Sequence, residues 1–332
     1  MRYTDSVRIA LIFLAALVAT LVILVFAFHE VLTQPVATGV MRGPKQSADV
    51  GRLEADVKTL AHPRDYTNTK QLDEDATGLG DRLRALGMTP IGRRFDAGGR
   101  TYQNVSAILG DPKRPRVVVG AHYDSDHALP AADDNASGVA VVLELARLFA
   151  ATPPPGTVEL VFWTLEEEPY FAESEMGSAV HANALAKEGV TVTAALSIET
   201  VGYYKNEPRT QHFPAPFVGS LYPSAGNFIA LVSNTGADNR ALVRRVKSAM
   251  RAVGTIDVHS MNGPAWIPGI DWSDHRSYWP HGWPALMITD TAPNRNPNYH
   301  EATDTPDTLD YGKMAALTEA IFEAIWVLAT DH

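Results

Sequence analysis

Residues 9–28 read IALIFLAALVATLVILVFAF, twenty residues without a charge. That is about the length a helix needs to cross the hydrocarbon core of a bilayer. A core helix of a soluble domain would normally show a polar face, which this run lacks. A cleaved signal peptide has an apolar region of about 7–15 residues followed by a small-residue cleavage site; the run is longer, and no clear site of that kind follows it. Arg2 and Arg8 precede the run and the next basic residue is Arg42, so the positive-inside bias places the N-terminus in the cytoplasm and the rest of the chain on the far side of the membrane. The expected organisation is a cytoplasmic segment at 1–8, a transmembrane anchor at 9–28, a linker at 29–49 rich in Pro and Gly, and one globular domain over 50–332.

The chain of 332 residues carries 28 Lys+Arg against 38 Asp+Glu, a formal charge of −10, with no basic run. A nucleic-acid partner would want a basic stripe, so that class is set aside. There are no cysteines, which removes disulfides, thiolate nucleophiles and Cys-ligated metal. Any metal must use His, Asp or Glu. A Gly-x-Ser-x-Gly elbow and a GxxxxGK phosphate loop are also missing from the sequence, which leaves serine-hydrolase and P-loop readings without their central residues.

Beyond residue 50, short β-rich runs at 105–109, 117–121, 158–164, 194–198 and 285–289 alternate with helical patterns at 72–86, 138–150, 176–187, 239–253 and 314–329. This alternation predicts an α/β domain with a central mixed, mostly parallel sheet flanked by helices. Residues 203–226 and 257–284, rich in Pro, Gly and aromatics, read as long loops.

The chemistry gathers where the apolar runs stop. Residues 117–121 end in His122-Tyr123-Asp124, and in an extended chain positions i and i+2 share a face, so Asp124 is placed to hold the second ring nitrogen of His122. Asp133-Asp134-Asn135-Ala136-Ser137 precedes a helix and is richer in polar groups than helix capping requires. The run at 158–164 leads into Leu165-Glu166-Glu167-Glu168-Pro169, and 194–198 ends in Glu199, a charge out of place in a buried sheet. The fifth piece is Asn298-Tyr299-His300-Glu301. The carboxyl ends of parallel strands share one edge, where ligands bind, and oxygen and nitrogen donors without sulfur suit zinc.

These pieces occur in the order and spacing of a known family. GAHYDSD at 120–126, ADDNASGVA at 132–140, LEE at 165–167 with MGS at 176–178, and NYHEATDTPDTLDY at 298–311 resemble the signature blocks of the M28 zinc metallopeptidases, the di-zinc aminopeptidase group. The resemblance implies a zinc-exopeptidase-like fold, peptide substrates and two Zn2+ ions. It implies His122, Asp134, Glu167, Glu199 and His300 as metal ligands, with Asp134 bridging, and Glu166 as general base; Asp124, placed behind His122 by its i, i+2 position, joins Glu166 as a catalytic candidate. Two zinc ions balance Asp134, Glu167, Glu199 and one hydroxide in charge, as a buried site requires.

The position of Glu199 is Asp in many members, and the family's Glu-Glu-x-Gly-Leu-x-Gly-Ser run is here Glu-Glu-Glu-Pro-Tyr-Phe before Met176-Gly177-Ser178. An alternative register makes Glu167 the base and Glu168 a ligand, against which the following Pro169 argues. Other readings stay open: a carboxypeptidase, a glutaminyl-cyclase-like enzyme, or a binding ectodomain without catalysis. Arg276 and Arg295 could hold a substrate carboxylate, and Glu168 and Glu173 an amine. Asp126 and His127 read as solvated loop, Asp304 as a brace for the His300 loop, His181 as structural, and Ser273-Asp274-His275 as either pocket wall or core.

Overall fold

A computed structural model describes residues 3–213 and 216–330. Met1 and Arg2, the start of the expected cytoplasmic segment, and Asp331 and His332, at the end of the expected domain, lie outside the described residues. In chain order the elements are α1 (Tyr3–Thr33), α2 (Val50–Leu60), α3 (Thr69–Ala85), β1 (Pro90–Ala97), β2 (Arg100–Leu109), β3 (Arg116–His122), α4 (Gly138–Ala151), β4 (Thr157–Trp163), α5 (Gly177–Lys187), β5 (Val192–Glu199), the single turn α6 (Pro216–Gly219), β6 (Phe228–Ser233), α7 (Ala237–Val253), β7 (Asp257–Asn262), β8 (Ala285–Thr289) and α8 (Tyr311–Thr330).

The expected mixed sheet is present, with eight strands in the order β1-β2-β4-β3-β5-β8-β6-β7. The four central strands β4, β3, β5 and β8 are parallel, while β2 and β6 run antiparallel to the neighbours that flank this group. Every residue of β3, β4 and β8 is buried, which is why these strands read as mainly apolar runs rather than alternating ones; the buried exceptions Arg116 and Glu159 pair with each other at 2.8 Å. Both faces are covered. Val117, Val119 and Ala121 point into a cluster shared with α4 and α8, and Val118 points the other way, onto Ala182, Leu185 and Tyr278.

In the larger layer Phe149 of α4 stacks on Phe322 of α8, centroids 4.5 Å apart, both fully buried. Phe322→Ala is expected to lower the unfolding free energy by about 3–5 kcal/mol, the usual cost of an aromatic-to-alanine cavity. Chemical denaturation of the two chains side by side measures it, and a change below about 1 kcal/mol would mean the layers do not meet as described.

Elements without a strong apolar period are the ones that sequence patterning left out. β1 is an exposed edge carrying Gly92, Arg93 and Arg94. In β7 the buried positions are Val258, Ser260 and Asn262, two of them polar, so the stretch read as loop. β6 is a six-residue apolar run between glycines, too short for periodicity to classify. α2 shows only Leu53, Val57 and Leu60 to the core.

The N-terminal helix runs past Phe28 to Thr33. From residue 11 to 28 its large apolar side chains are exposed, Leu11 at 59% and Phe26 at 65% among them; one turn later Leu32, Thr33 and Gln34 are buried against the body. Residues 34–48 have no regular structure but lie along α7 and α8, where Gly39 N donates to Ser248 O and the amides of Arg42 and Gly43 donate to the Glu323 carboxylate at 2.7 and 2.9 Å.

Candidate active site

Because β3, β4 and β5 are parallel and in register, His122 lies beside Trp163 and the ends of all three strands emerge together. This edge is also where the strand order reverses, β4 to one side of β3 and β5 to the other, the usual place for a ligand crevice in such a sheet. Several backbones there leave ordinary conformations at once: Leu165 after β4, Thr200 after β5, Thr291 after β8 and His300 all have positive φ. Such residues cost on the order of 1–3 kcal/mol each and gather where side chains must be aimed. Gly138 serves the same end. A Cβ on it would run into the Asn135 side chain and the Ile198 carbonyl, so only glycine lets α4 start this close to the end of β5.

Three groups of donors result: Asp134 belongs to two of them, and the third is His122, Glu166 and Glu167. His122 Nε2 stands 3.3 Å from Asp134 Oδ1 and 3.4 Å from Glu199 Oε2. On the other side His300 Nε2 stands 3.0 Å from Asp134 Oδ2 and 3.6 Å from Glu167 Oε2. Glu166 reaches in beside them, its Oε2 3.9 Å from His122 Nε2. His122-Asp134-Glu199 and Asp134-Glu167-His300 each bring three donor atoms within 4.8 Å of one another. Glu168 is exposed and belongs to none of the groups.

The donors are held in place from behind. Asp124 accepts the amides of Glu166 and Glu167 on its two oxygens, both at 3.2 Å, with His122 Nδ1 3.5 Å away. Asn135 bridges to Ile198 O, Gly138 N and Thr200 N. Asp133 turns away from the donors, accepting Gly202 N and Asn296 Nδ2, each at 2.8 Å. Asp304, read from sequence as a brace for the His300 loop, ties that loop to its neighbour: its amide donates to Glu301 O and its carboxylate accepts the amides of Asp133 and Asp134. His300 is steadied by Asp126, 3.4 Å from its Nδ1, and by stacking on Tyr299. Sequence reading passed over Asp126 as loop, although it shares the i, i+2 face of Asp124 that was used to place that residue. Ser273 was left open and donates to Glu199 Oε2 at 2.8 Å. His181 lies elsewhere, bonded to Tyr278 and Glu159 in the core.

Electrostatically the cluster calls for positive charge. Burial, reinforced by Glu199, Asp274 and Asp134, raises the Glu166 carboxyl well above its ordinary range; burial with Asp134 and Glu166 does the same to Glu167, and burial raises Glu199. Asp274 is pushed up to about 7, chiefly by burial. Burial works against protonation of His122, yet Glu199 and Glu166 hold its pKa well above the usual imidazole value. Buried charge of one sign is expensive unless balanced.

The donor set fits a metal on a second count. Both ring nitrogens of the fully buried His122, and Glu167 Oε1, have no hydrogen-bond partner, although carboxylate oxygens stand 3.3 to 3.9 Å off. Donors about 2.0–2.2 Å from a tetrahedral zinc lie roughly 3.3–3.5 Å from one another, close to the spacings found.

A cavity of about 410 Å³ opens from the cluster. Glu166, Glu167, Glu168 and His300 form its acidic end, and Phe228, Ala230, Val232 and Met287 of β6 and β8 form an apolar floor that runs on to His259, Ser260 and Met261 of β7. Among the described residues no Lys or Arg lines it. Arg276 is engaged with Asp271 and the Phe171 ring. Arg295 is buried against Gln211 and the Phe228 carbonyl.

The fold and this edge define a class: an α/β exopeptidase-like domain with a His and carboxylate cluster at the ends of its parallel strands. The model for peptidase family M28 matches residues 104–325, and the chain belongs to that family. It is 37% identical over 319 residues to the protein YfbL of Escherichia coli K12, covering 93% of this chain and 97% of that one. It is 27% identical over 225 residues to a probable leucine aminopeptidase of Trichophyton verrucosum, covering 64% of this chain; it spans about half of that fungal protein's length, 53%. Among solved structures it resembles LapA of Legionella pneumophila with a TM-score of 0.68, 19% identity and coverage of 85% of this chain and 74% of LapA. The resemblance to M28 peptidases read from the sequence blocks is thereby borne out.

Proposed function

We propose that the protein is a membrane-anchored zinc aminopeptidase whose domain lies outside the cytoplasm. The observation that carries the choice among exopeptidases is the charge of the pocket. A substrate carboxylate would need a cation, and the described lining offers none, since Arg276 and Arg295 are turned to other partners. A free amine meets Glu168 at the acidic end, while Glu173 is not part of the lining.

His122, Asp134 and Glu199 would hold one zinc ion, and Asp134, Glu167 and His300 a second. Zinc held there supplies Lewis-acid polarisation of the scissile carbonyl and acidifies water. The chain's own part is positioning and proton transfer. Glu166 accepts a proton from the attacking water on its carboxylate and returns it to the nitrogen of the departing amine. Asp124, holding the Glu166 and Glu167 amides, keeps base and ligand in one geometry. The apolar floor takes the first side chain of the peptide.

The test is a panel of leucyl peptides in three forms: free at both ends, N-acetylated, and amidated at the C-terminus. Cleavage is expected to require the free amine and to ignore the C-terminal amide. Glu168→Gln is expected to raise KM for free-amine peptides about tenfold, the equivalent of ~1.4 kcal/mol, with kcat little changed. Cleavage of the N-acetylated peptides at equal rate would overturn the reading, and turnover confined to cyclisation of N-terminal glutamine would replace it with a glutaminyl cyclase.

A further inference from the structure

The far end of the cavity and the end of the N-terminal helix meet at one residue, Ser260 of β7. Ser260 lines the cavity. Its carbonyl accepts the Tyr222 hydroxyl at 2.8 Å, and Tyr222 packs edge-on against His259, forming the distal aromatic wall with Phe213 stacked behind. The Ser260 hydroxyl in turn donates to the carbonyl of Thr33, the last residue of α1, at 2.6 Å. The junction has no slack. Gln34 ends the helix with positive φ, a common way for a helix to stop. The buried ammonium of Lys247 donates to Thr33 O at 2.7 Å and Gln34 O at 3.3 Å, satisfying carbonyls that a helix C-terminus leaves unpaired. Arg244 donates to the Gln34 side chain at 2.5 Å.

Distances along α1 set the scale. From Phe28, the last exposed apolar residue of the run, to Thr33 is five residues, about 7.5 Å at the helical rise. The headgroup layer on each side of a bilayer is roughly 5–8 Å thick. If α1 crosses the membrane, Ser260 and the Tyr222–His259 wall stand at headgroup depth. Charge agrees with that placement. In a chain of net −10, the helix that grips the end of α1 carries Arg240, Arg244, Arg245 and Arg251, besides the buried Lys247, against Asp238 alone, a basic surround suited to anionic lipid headgroups.

We infer that the pocket is fed from the membrane surface: its preferred substrates are peptides whose apolar N-terminal residues are already partitioned among the headgroups. This rests on the aminopeptidase and anchor readings. A substrate held in the plane where the cavity ends arrives at a raised effective concentration without any new contact.

The experiment uses the full chain in lipid nanodiscs containing anionic lipid, with a soluble leucyl tripeptide and an amphipathic peptide of the same first residue that binds the bilayer. We expect kcat/KM for the membrane-bound peptide to exceed that for the tripeptide by about tenfold or more. A flexible Gly-Ser spacer inserted between Phe28 and His29 leaves the docked turn intact and is expected to bring the two values together while tripeptide hydrolysis persists. Equal values in the parent chain overturn the inference and leave the aminopeptidase intact; hydrolysis of neither peptide means the aminopeptidase reading has failed.

Position is read separately, without turnover. The chain has no cysteine, so a fluorophore goes on Arg244→Cys beside the helix exit or on Arg94→Cys. The latter lies on β1, at the edge of the sheet opposite β7, which is seven strand spacings or about 34 Å from it. Headgroup-quencher lipids are expected to quench the first label and not the second. Equal quenching, or none at residue 244, overturns the inference whatever the activity.

Discussion

Glu166→Gln is expected to slow hydrolysis of free-amine peptides by about 10²–10⁴-fold while the protein retains its metal, the loss that removal of a positioned general base brings. Glu166 stands with His122 and Glu167, its carboxylate 3.9 Å from His122 Nε2, but the two groups joined through Asp134 are complete without it. The glutamine keeps shape and hydrogen bonding and loses only the ability to take a proton. The readout is kcat with zinc content measured on the same sample. Metal lost together with activity would make Glu166 a ligand. The alternative register, with Glu167 as base and Glu168 as ligand, predicts the opposite pattern: Glu168→Gln would then release zinc. The exposure of Glu168 argues against it.

The larger effect is expected at Asp134. Its two oxygens face two histidines, Oδ1 toward His122 and Oδ2 toward His300, so Asp134→Ala removes one donor from each of its two groups. Each is then left with one histidine and one carboxylate, too few for a tight zinc site, for which three protein ligands are the common minimum. We expect the parent chain to carry close to two equivalents of zinc, and Asp134→Ala to carry little and show no measurable turnover. The fold should survive, because the loop at Asp134 is held through its backbone by Asp304 and through Asn135. Metal analysis with circular dichroism tests both parts. Full zinc occupancy in Asp134→Ala would remove it from the ligand set. Asp133→Ala is the control, since that carboxylate points to Gly202 and Asn296 and its loss should leave zinc in place.

How much of this was legible in the sequence follows from what each element buries. β3, β4, β5 and β8 were readable because strands covered on both faces are largely apolar along their length. β7 was not, because Ser260 and Asn262 are buried polar residues whose partners, Thr33 and Asn234, come from distant parts of the chain. β1 was hidden by an exposed edge. At the site, charges ending apolar runs marked His122, Glu166, Glu167 and Glu199, since a charge at such a place needs a reason. Asp126 and Ser273 carried no such mark: a lone Asp in a loop and a lone Ser have many ordinary explanations.

The sequence by itself determined the apolar N-terminal run, the alternation that makes an α/β sheet and the blocks that mark an M28 peptidase, because local patterns of burial and fixed spacings are written directly in residue order. The tertiary structure shows the geometry behind the carboxylate that the resemblance implied: Asp134 faces both histidines while Asp133 turns to Gly202 and Asn296. Only it showed that Arg276 and Arg295 are committed elsewhere while Glu168 lines the pocket, and that the last turn of the N-terminal helix is locked to the pocket wall through Ser260. Each of these depends on where a side chain points after distant segments have packed, and direction at a distance is information that no single stretch of sequence contains.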